Sequence, residues 1–436
     1  MVRSPGKPLQ EMTYVRDPLY GFIGLTEIEA RLVGTSVFQR LSRIKQLAHT
    51  NVVFPSAMHT RLEHSLGTLY VAGRISERLG LSPDDAQTVR AAALLHDLGH
   101  GPYSHLFETA MDRSFTNPPS HERITHMMIE TLPEIEKILG AFRVPVLSLM
   151  KGDDSIQSDI ISSSLDADKL DYLRRDSFHV GVSYGSFDIQ RVLLTLCAIP
   201  ASERSYLGIL EKGMDALESY RLGRYAMHVQ VYEHHTRLAA DDMFVRAFDA
   251  AVRDGLVDKE ALSSKSPKKF LERYLELDDD SIQHLILSQG KKSVAKSLIQ
   301  DIRDRRLLKR AFIVTIDEKG VPNATKRMEL AALSSREVDK LETDIAQRAK
   351  VNRDHVIVHP QSIKIKLYER LDQKVDGTES PILVLLRDGT SRHIDELSRI
   401  TASQEPIRRI YVFAGGRDVD RVKAAAESVF GVRSSF

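Results

Sequence analysis

His64, the dipeptide His96-Asp97 and Asp168 stand 32 and 71 residues apart and combine two imidazoles with two carboxylates. The set contains no thiolate, so it suits a first-row divalent ion, Fe, Mn, Zn, Ni or Co, whereas Mg is content with oxygen donors alone. Four protein donors would leave positions on an octahedral ion for water and a substrate oxygen, which is what hydrolysis requires. A His-Asp pair alone carries little, because a core-facing histidine beside a helix-end aspartate explains it equally. The stretch HDLGHGPYSHLFE changes the weighting: it places His96, Asp97, His100, His105 and Glu108 within 13 residues, directly after the apolar run AAALL. A helix that ends in so dense a polar knot is difficult to explain as packing.

His100, His105, Glu108 and His121 are not needed by the metal and are available for proton transfer and phosphate contact. If a helix begins after Gly101-Pro102, His105 and Glu108 fall at i and i+3, so the carboxylate can orient the imidazole and raise its pKa, which makes a usable general acid. For His121-Glu122 a surface pair is an equally plain explanation. In DADKLDYLRRD, Asp168 is followed by Lys169, Tyr172, Arg175 and Asp176, read as roughly one helical face of anion and hydroxyl binders. Cations beside a metal suggest phosphate. Arg224, His228 and Tyr232 lie at i, i+4 and i+8, a spacing that an ordinary amphipathic helix also produces.

These residues must be held by mostly helical elements. From about 26 to 250 the apolar positions recur at helical spacing, Gly80 and Gly99 supply stops, and Ser82-Pro83-Asp84-Asp85 reads as an N-cap followed by an acidic first turn. His64 is expected on one helix and His96-Asp97 near the C-terminal end of the next but one. After 250 a basic stretch, SSKSPKKF through GKKSVAKSLIQDIRDRRLLKR, gives way to the β-like runs AFIVTI, HVIVHP, IKIKLYE, PILVLLR and IRRIYVFAGG, with SSREVDKLETDIAQRAK helical between them. The expected fold is mostly α: a helical catalytic core over 1–250, a helical basic connecting region over 251–310 and a smaller C-terminal α+β part over 311–436.

The 436 residues are 42% hydrophobic and 28% charged, which excludes disorder as the main state. Lys and Arg number 61 against 60 Asp and Glu, so bulk charge gives no argument for a nucleic-acid or membrane binder, and any basic site must be local. Cys197 is the single cysteine, which removes internal disulfides and thiolate clusters and fits a reducing compartment. No signal-like or membrane-spanning apolar run occurs, and a cytoplasmic protein is the expectation.

Five blocks in order carry a resemblance: DPLYGFIGL at 17–25, FQRLSRIKQL at 38–47, VVFPSAMHTRLEHSLG at 52–67, LLHDLGHGPYSHLFE at 94–108 and DADKLDYLRRDSFHVGV at 166–182. Over about 16–250 the chain resembles the HD-domain deoxynucleoside triphosphate triphosphohydrolases, both bacterial and animal. The resemblance implies that His64, His96, Asp97 and Asp168 hold the metal and that His100, His105, Glu108 and His121 surround the α-phosphate. It also implies that Gln46 and Asp176 read the 3′-hydroxyl beside Leu47, that Arg61, Lys169 and Arg224 meet the triphosphate, and that Tyr232, with Tyr172 on the same wall, excludes a ribose 2′-hydroxyl.

The implied reaction cleaves between the α-phosphate and the 5′-oxygen, with His105, oriented by Glu108, protonating the leaving oxygen and Mg entering with the nucleotide. The resemblance further implies a homo-oligomer, a dimer or tetramer, with an activator nucleotide at a subunit interface. Glu108 stands where the animal protein has Asp, and Gly34 and Ser42 depart from its activator site, which argues against activation by GTP in the same way. No N-terminal recruitment module is expected before DPLYGF. Two alternatives stay open: an HD phosphodiesterase or nucleotidase acting on other nucleotides, and a nucleotide-sensing or nucleic-acid-binding assembly with slow turnover, the basic 263–310 stretch being its phosphate-binding surface.

Overall fold

The computed structural model describes residues 9–200, 204–288, 293–363, 382–398 and 407–435. It is mostly α, with a smaller α+β part formed by the C-terminal residues. Ten helices position the site and the C-terminal sheet: α1 (Arg61–Leu79), α2 (Pro83–Leu95), α3 (His105–Ser114), α4 (His121–Thr131), α5 (Ala167–Val180), α6 (Met214–Met227), α7 (His235–Arg253), α8 (Asp279–Leu287), α9 (Ser335–Ala349) and α10 (Val419–Phe430). No helix among the described residues is long and apolar enough to cross a membrane.

α1 ends at Gly80, whose φ of 67° is the left-handed conformation that a glycine adopts without strain. α2 starts as its sequence dictates: the Ser82 side chain accepts from the Asp85 N–H, Pro83 opens the first turn, and Asp84 and Asp85 face the positive end of the helix dipole. Its last turns, Ala91 to Leu95, are fully buried, and His96 is its C-cap residue. His96-Asp97 therefore leaves the helix next after the one bearing His64, not the next but one, because one uninterrupted helix carries the chain from Arg61 to Leu79. α1 and α5 pack so closely that a Cβ on Gly67 would lie 2.0 Å from Asp171 Oδ1, so this glycine allows the approach.

Among the described residues the strands form three small sheets. β1 (Thr13–Asp17) and β2 (Gly21–Leu25) make a hairpin. β3 (Leu196–Pro200) and β4 (Ser205–Leu210) make a second, inside the half read from sequence as helical. The C-terminal residues contribute β5 (Lys309–Thr315), β6 (Val356–Ile363), β7 (Leu383–Leu385), β8 (Ser391–His393) and β9 (Ile407–Ala414). β7 runs parallel to β4, giving the order β3-β4-β7-β8, while β9 is the centre of the antiparallel sheet β5-β9-β6. The expected runs AFIVTI, HVIVHP, PILVLLR and IRRIYVFAGG contain strands, and SSREVDKLETDIAQRAK is α9. IKIKLYE lies, apart from Ile363, outside the described residues.

Alternation along β9 explains how the two parts join. Ile410, Val412 and Ala414 point into a small core with Phe312 and Val422, whereas Tyr411 and Phe413 join the main core. A strand buried on both faces reads as a continuous apolar run, as IYVFA does. Phe312 and Phe430 stack at 5.1 Å inside the small core, and burying each contributes about 2–3 kcal/mol.

Candidate active site and metal centre

The C-terminal end of α2, the first turns of α1, α3 and α4, one face of α5 and the turn after α6 enclose a cavity of about 550 Å³. Thirteen of the sixteen site residues nominated from sequence line it: Gln46, Leu47, Arg61, His96, Asp97, His100, His105, His121, Asp168, Lys169, Tyr172, Asp176 and Tyr232. His64 and Glu108 stand behind the wall and bond to residues in it. Arg224 is not part of the wall, although its charge reaches Tyr172 and His228.

His64 Nδ1 meets Asp171 Oδ2 at 2.9 Å, which turns Nε2 toward Asp168 Oδ1 at 3.0 Å and Asp97 Oδ2 at 3.5 Å. His96 donates from Nδ1 to the Ala93 carbonyl at 2.7 Å and aims Nε2 at Asp97 Oδ1, 3.3 Å away, and Asp168 Oδ1, 3.7 Å away. Both Nε2 atoms are buried without a hydrogen-bond partner. His64, His96 and Asp168 bring one ligand atom each within 4.8 Å of one another and could hold a cation, with Asp97 beside them and outer-shell partners that set each tautomer. Burial pulls the His64 pKa down, but the close Asp168 carboxylate, the bond to Asp171 and the charge of Asp97 push it up to about 10. Burial pushes Asp97 the other way, yet Arg61, His96 and His100 hold it well below the usual carboxylate range.

Glu108 governs the second cluster. Its Oε2 bonds His105 Nδ1 and its Oε1 bonds His121 Nδ1, each at 2.8 Å, and Oε1 also accepts the His121 backbone N–H. These hydrogen bonds outweigh burial and depress its pKa. His121 is thus oriented by Glu108 rather than by its neighbour Glu122. His100 stacks on His121 at 4.0 Å, and burial together with the charges of Arg61 and His121 keeps it neutral. His105, the first residue of α3, is 68% exposed at its side chain and open to solvent. The four residues also bring one ligand atom each within 4.8 Å of one another, as a cation site would.

At the other end, Asp176 Oδ2 accepts from the Tyr232 hydroxyl at 2.6 Å and Oδ1 meets His59 Nε2 at 2.8 Å. The Tyr172 and Tyr232 rings meet edge to face at 6.4 Å. Gln46 Oε1 is buried without a partner in the same wall. Tyr232 sits on a π-helical turn, His228–Tyr232, not on a continuous α-helix, and His228 also lines the cavity. Burial and the charges of Arg224 and Arg237 lower the His228 pKa to about 3, so the ring is neutral.

The cations are committed to protein partners. Arg61 bonds Asp97 Oδ2 at 2.5 Å and Ser104 Oγ at 2.8 Å, and Lys169 Nζ bonds Asp166 at 2.8 Å. Arg175 does not share the face of Asp168, Tyr172 and Asp176, which 3.6 residues per turn places together. It turns away, bidentate to Asp171 at 2.9 and 3.0 Å, and reaches Asp17 at 2.8 Å. Sequence reasoning missed Asp171 and His59. The i, i+4 pair Asp171/Arg175 was the available signal for the first; the clustering of histidines from His59 to His121 was the signal for the second, without a role for His59 itself.

The HD domain family matches residues 61–172, and the family described as HD associated region matches 187–435. The chain is 32% identical over 322 residues to the uncharacterized protein MJ1154 of Methanocaldococcus jannaschii, covering 72% of this chain and 66% of that protein. It is 29% identical over 346 residues to the deoxynucleoside triphosphate triphosphohydrolase SAMHD1 of Danio rerio, covering 69% of this chain and 55% of that protein. It thus spans just under two thirds of the first relative and about half of the second. A crystal structure of a phosphohydrolase from Bacteroides thetaiotaomicron superposes with a TM-score of 0.72 at 26% identity, covering 92% of this chain and 99% of that one.

Proposed function

The chain belongs to the HD-domain family, with its HD-associated region; from that premise we propose that it is a metal-dependent phosphohydrolase that converts deoxynucleoside triphosphates to deoxynucleoside and inorganic triphosphate. The observation that carries the reading is one cavity with two chemically distinct ends. His96, Asp97 and Asp168, backed by His64, stand with the His100, His105 and His121 cluster at one end, and the Asp176-Tyr232 pair with Gln46 stands at the other.

His64, His96, Asp97 and Asp168 would hold the cation, and their chemistry admits Fe, Mn, Zn, Ni or Co, with Mg arriving on the nucleotide. When bound, such an ion polarises a phosphoryl oxygen and lowers the pKa of water. The chain's own residues do the rest. Glu108 fixes Nδ1 of His105, so Nε2 is free to give a proton to the leaving 5′-oxygen. His100 and His121 line the position of the α-phosphate, and Lys169 and Arg61 meet the triphosphate by exchanging part of their present carboxylate contacts. Asp176 accepts the one proton of the 3′-hydroxyl and the Gln46 amide donates to its oxygen, while Tyr232, held by Asp176, fills the space a 2′-hydroxyl would need.

The convergence of donor atoms from His100, His105, Glu108 and His121 favours a second reading, a phosphodiesterase or nucleotidase that places another cation there. A product assay separates the two. Protein with Mn or Mg and each dNTP, singly and mixed, should yield deoxynucleoside and intact triphosphate, resolved by anion exchange. Pyrophosphate or phosphate release instead supports the second reading. Turnover only in the mixture, together with a larger species on size exclusion, would identify an activator nucleotide acting on a homo-oligomer.

A further inference from the structure

The six non-glycine residues with positive φ among the described residues are not scattered evenly. Three of them, Ala48 (φ 45°), Tyr103 (φ 59°) and Ser104 (φ 62°), line the cavity. Ser104 combines its φ with a ψ of −130°, a region that glycine alone occupies readily. Such conformations persist only where the surroundings over-determine them. Ser104 immediately precedes His105, and its hydroxyl donates to the Lys45 carbonyl at 2.7 Å and accepts from Arg61 at 2.8 Å. Gln46 follows Lys45. The two strained walls therefore carry the proton donor on one side and the sugar reader on the other.

What holds them is a residue outside the cavity. Asp279, the first residue of α8, is 3% exposed, and its carboxylate accepts the Tyr103 backbone N–H at Oδ1 (2.6 Å) and the Lys45 backbone N–H at Oδ2 (3.1 Å). The Tyr103 hydroxyl donates to the Asp279 carbonyl at 3.2 Å. Neighbouring contacts lock the same loop: Arg40 bridges the Leu277 and His100 carbonyls, and the Tyr274 hydroxyl donates to the Gly99 carbonyl. Burial lifts the Asp279 pKa to about 6 although both amides pull it down, so the carboxylate is held ionised at neutral pH against its desolvation. An asparagine would avoid that cost but could accept only one of the two N–H groups.

We propose that Asp279 is a positioning residue for the reaction: by bridging the Lys45 and Tyr103 amides it clamps the Gln46 wall to the His105 wall and keeps the strained Tyr103-Ser104 turn in place. This rests on the proposed function for the part that concerns turnover, and the clamp itself is tested without it. Backbone hydrogen exchange on the full chain is compared for wild type, Asp279→Asn and the control Asp278→Asn, whose residue bonds Arg43 and caps α8 without touching the cavity. Asp279→Asn should speed exchange at least about tenfold in peptides covering 43–48 and 99–106 and leave α7 unchanged. Asp278→Asn should do neither. With a dNTP substrate, Asp279→Asn should lower kcat roughly 10- to 100-fold with KM within about threefold and bound metal unchanged, as expected of a geometric displacement.

Unchanged exchange at both segments, or exchange that rises equally in α7, overturns the clamp. A rise in KM with kcat unchanged, or a loss of metal content, overturns the positioning role. If wild type turns over no dNTP while the two segments still loosen selectively, the substrate assignment falls and the clamp stands.

Discussion

Asp171→Asn isolates the support of the metal centre from the centre itself. Asp171 is fully buried; it bonds His64 Nδ1 and binds Arg175 through both carboxylate oxygens. Burial raises its pKa, but Arg175 and His64 overcome that and lower it to about 2 from a usual 3.8. A depressed carboxylate pKa contributes stability that is present above the unfolded value and is lost as pH falls through the folded one. The difference corresponds to about 2 kcal/mol at neutral pH, lost between about pH 4 and pH 2. Breaking one arm of a buried ion pair costs about 3–5 kcal/mol, and Arg175 keeps Asp17, so the lower end of that range, about 3 kcal/mol, is expected at pH 7. The gap from wild type should narrow by about 2 kcal/mol as the pH approaches 2.

The same substitution weakens the orientation of His64, for which outer-shell losses of about 10- to 100-fold in metal affinity are typical. Urea denaturation and Mn titration on one preparation measure both quantities. Asp17→Asn is the control: it disturbs Arg175 but not His64, so it should lower stability without a matching loss of metal affinity. Equal losses in both variants, or an unchanged Mn affinity in Asp171→Asn, would refute the claim that Asp171 acts through His64.

Three further outcomes are expected. His96→Ala or Asp97→Ala should remove bound metal and turnover together, whereas His105→Ala should keep the metal and remove the chemistry, as read by elemental analysis beside the product assay. Tyr232→Ala should erode the preference for deoxynucleotides over ribonucleotides, and Tyr232→Phe, which frees Asp176 Oδ2 but keeps the ring, should preserve most of it; an equal loss in both would assign discrimination to the hydrogen bond instead. Phe312→Ala, in the small C-terminal core, should cost about 3–5 kcal/mol in thermal or urea unfolding, and a loss below about 1 kcal/mol would mean that this core collapses around the cavity.

The donor residues were legible because their chemistry is local and rare. His96, Asp97, His100, His105 and Glu108 crowd into one helix end and one helix start, and no packing argument accounts for them. The caps of α2, the helical period of α5 and the doubly buried runs of β5, β6 and β9 were legible for a similar reason: each depends on residues within a turn or two of one another. The β3-β4 hairpin was not, since LCAIP and SYLGIL are short apolar runs that periodicity cannot distinguish from buried helix, and β4 gains its second partner only from β7, more than 170 residues away.

The sequence by itself determined which groups could bind a cation, move a proton and meet phosphate, and it placed most of them on the helices that carry them. Tertiary structure alone decided their states. It turned Arg175 away from the cavity, bound Asp171 to His64, gave Glu108 two histidines instead of one, paired His59 with Asp176 and laid Asp279 across Lys45 and Tyr103. Each of these depends on which side chain meets which in a space from which water is excluded. There the loss of solvation makes one hydrogen bond or ion pair decisive, and contacts between residues as far apart as Lys45 and Asp279 leave no periodic trace along the chain.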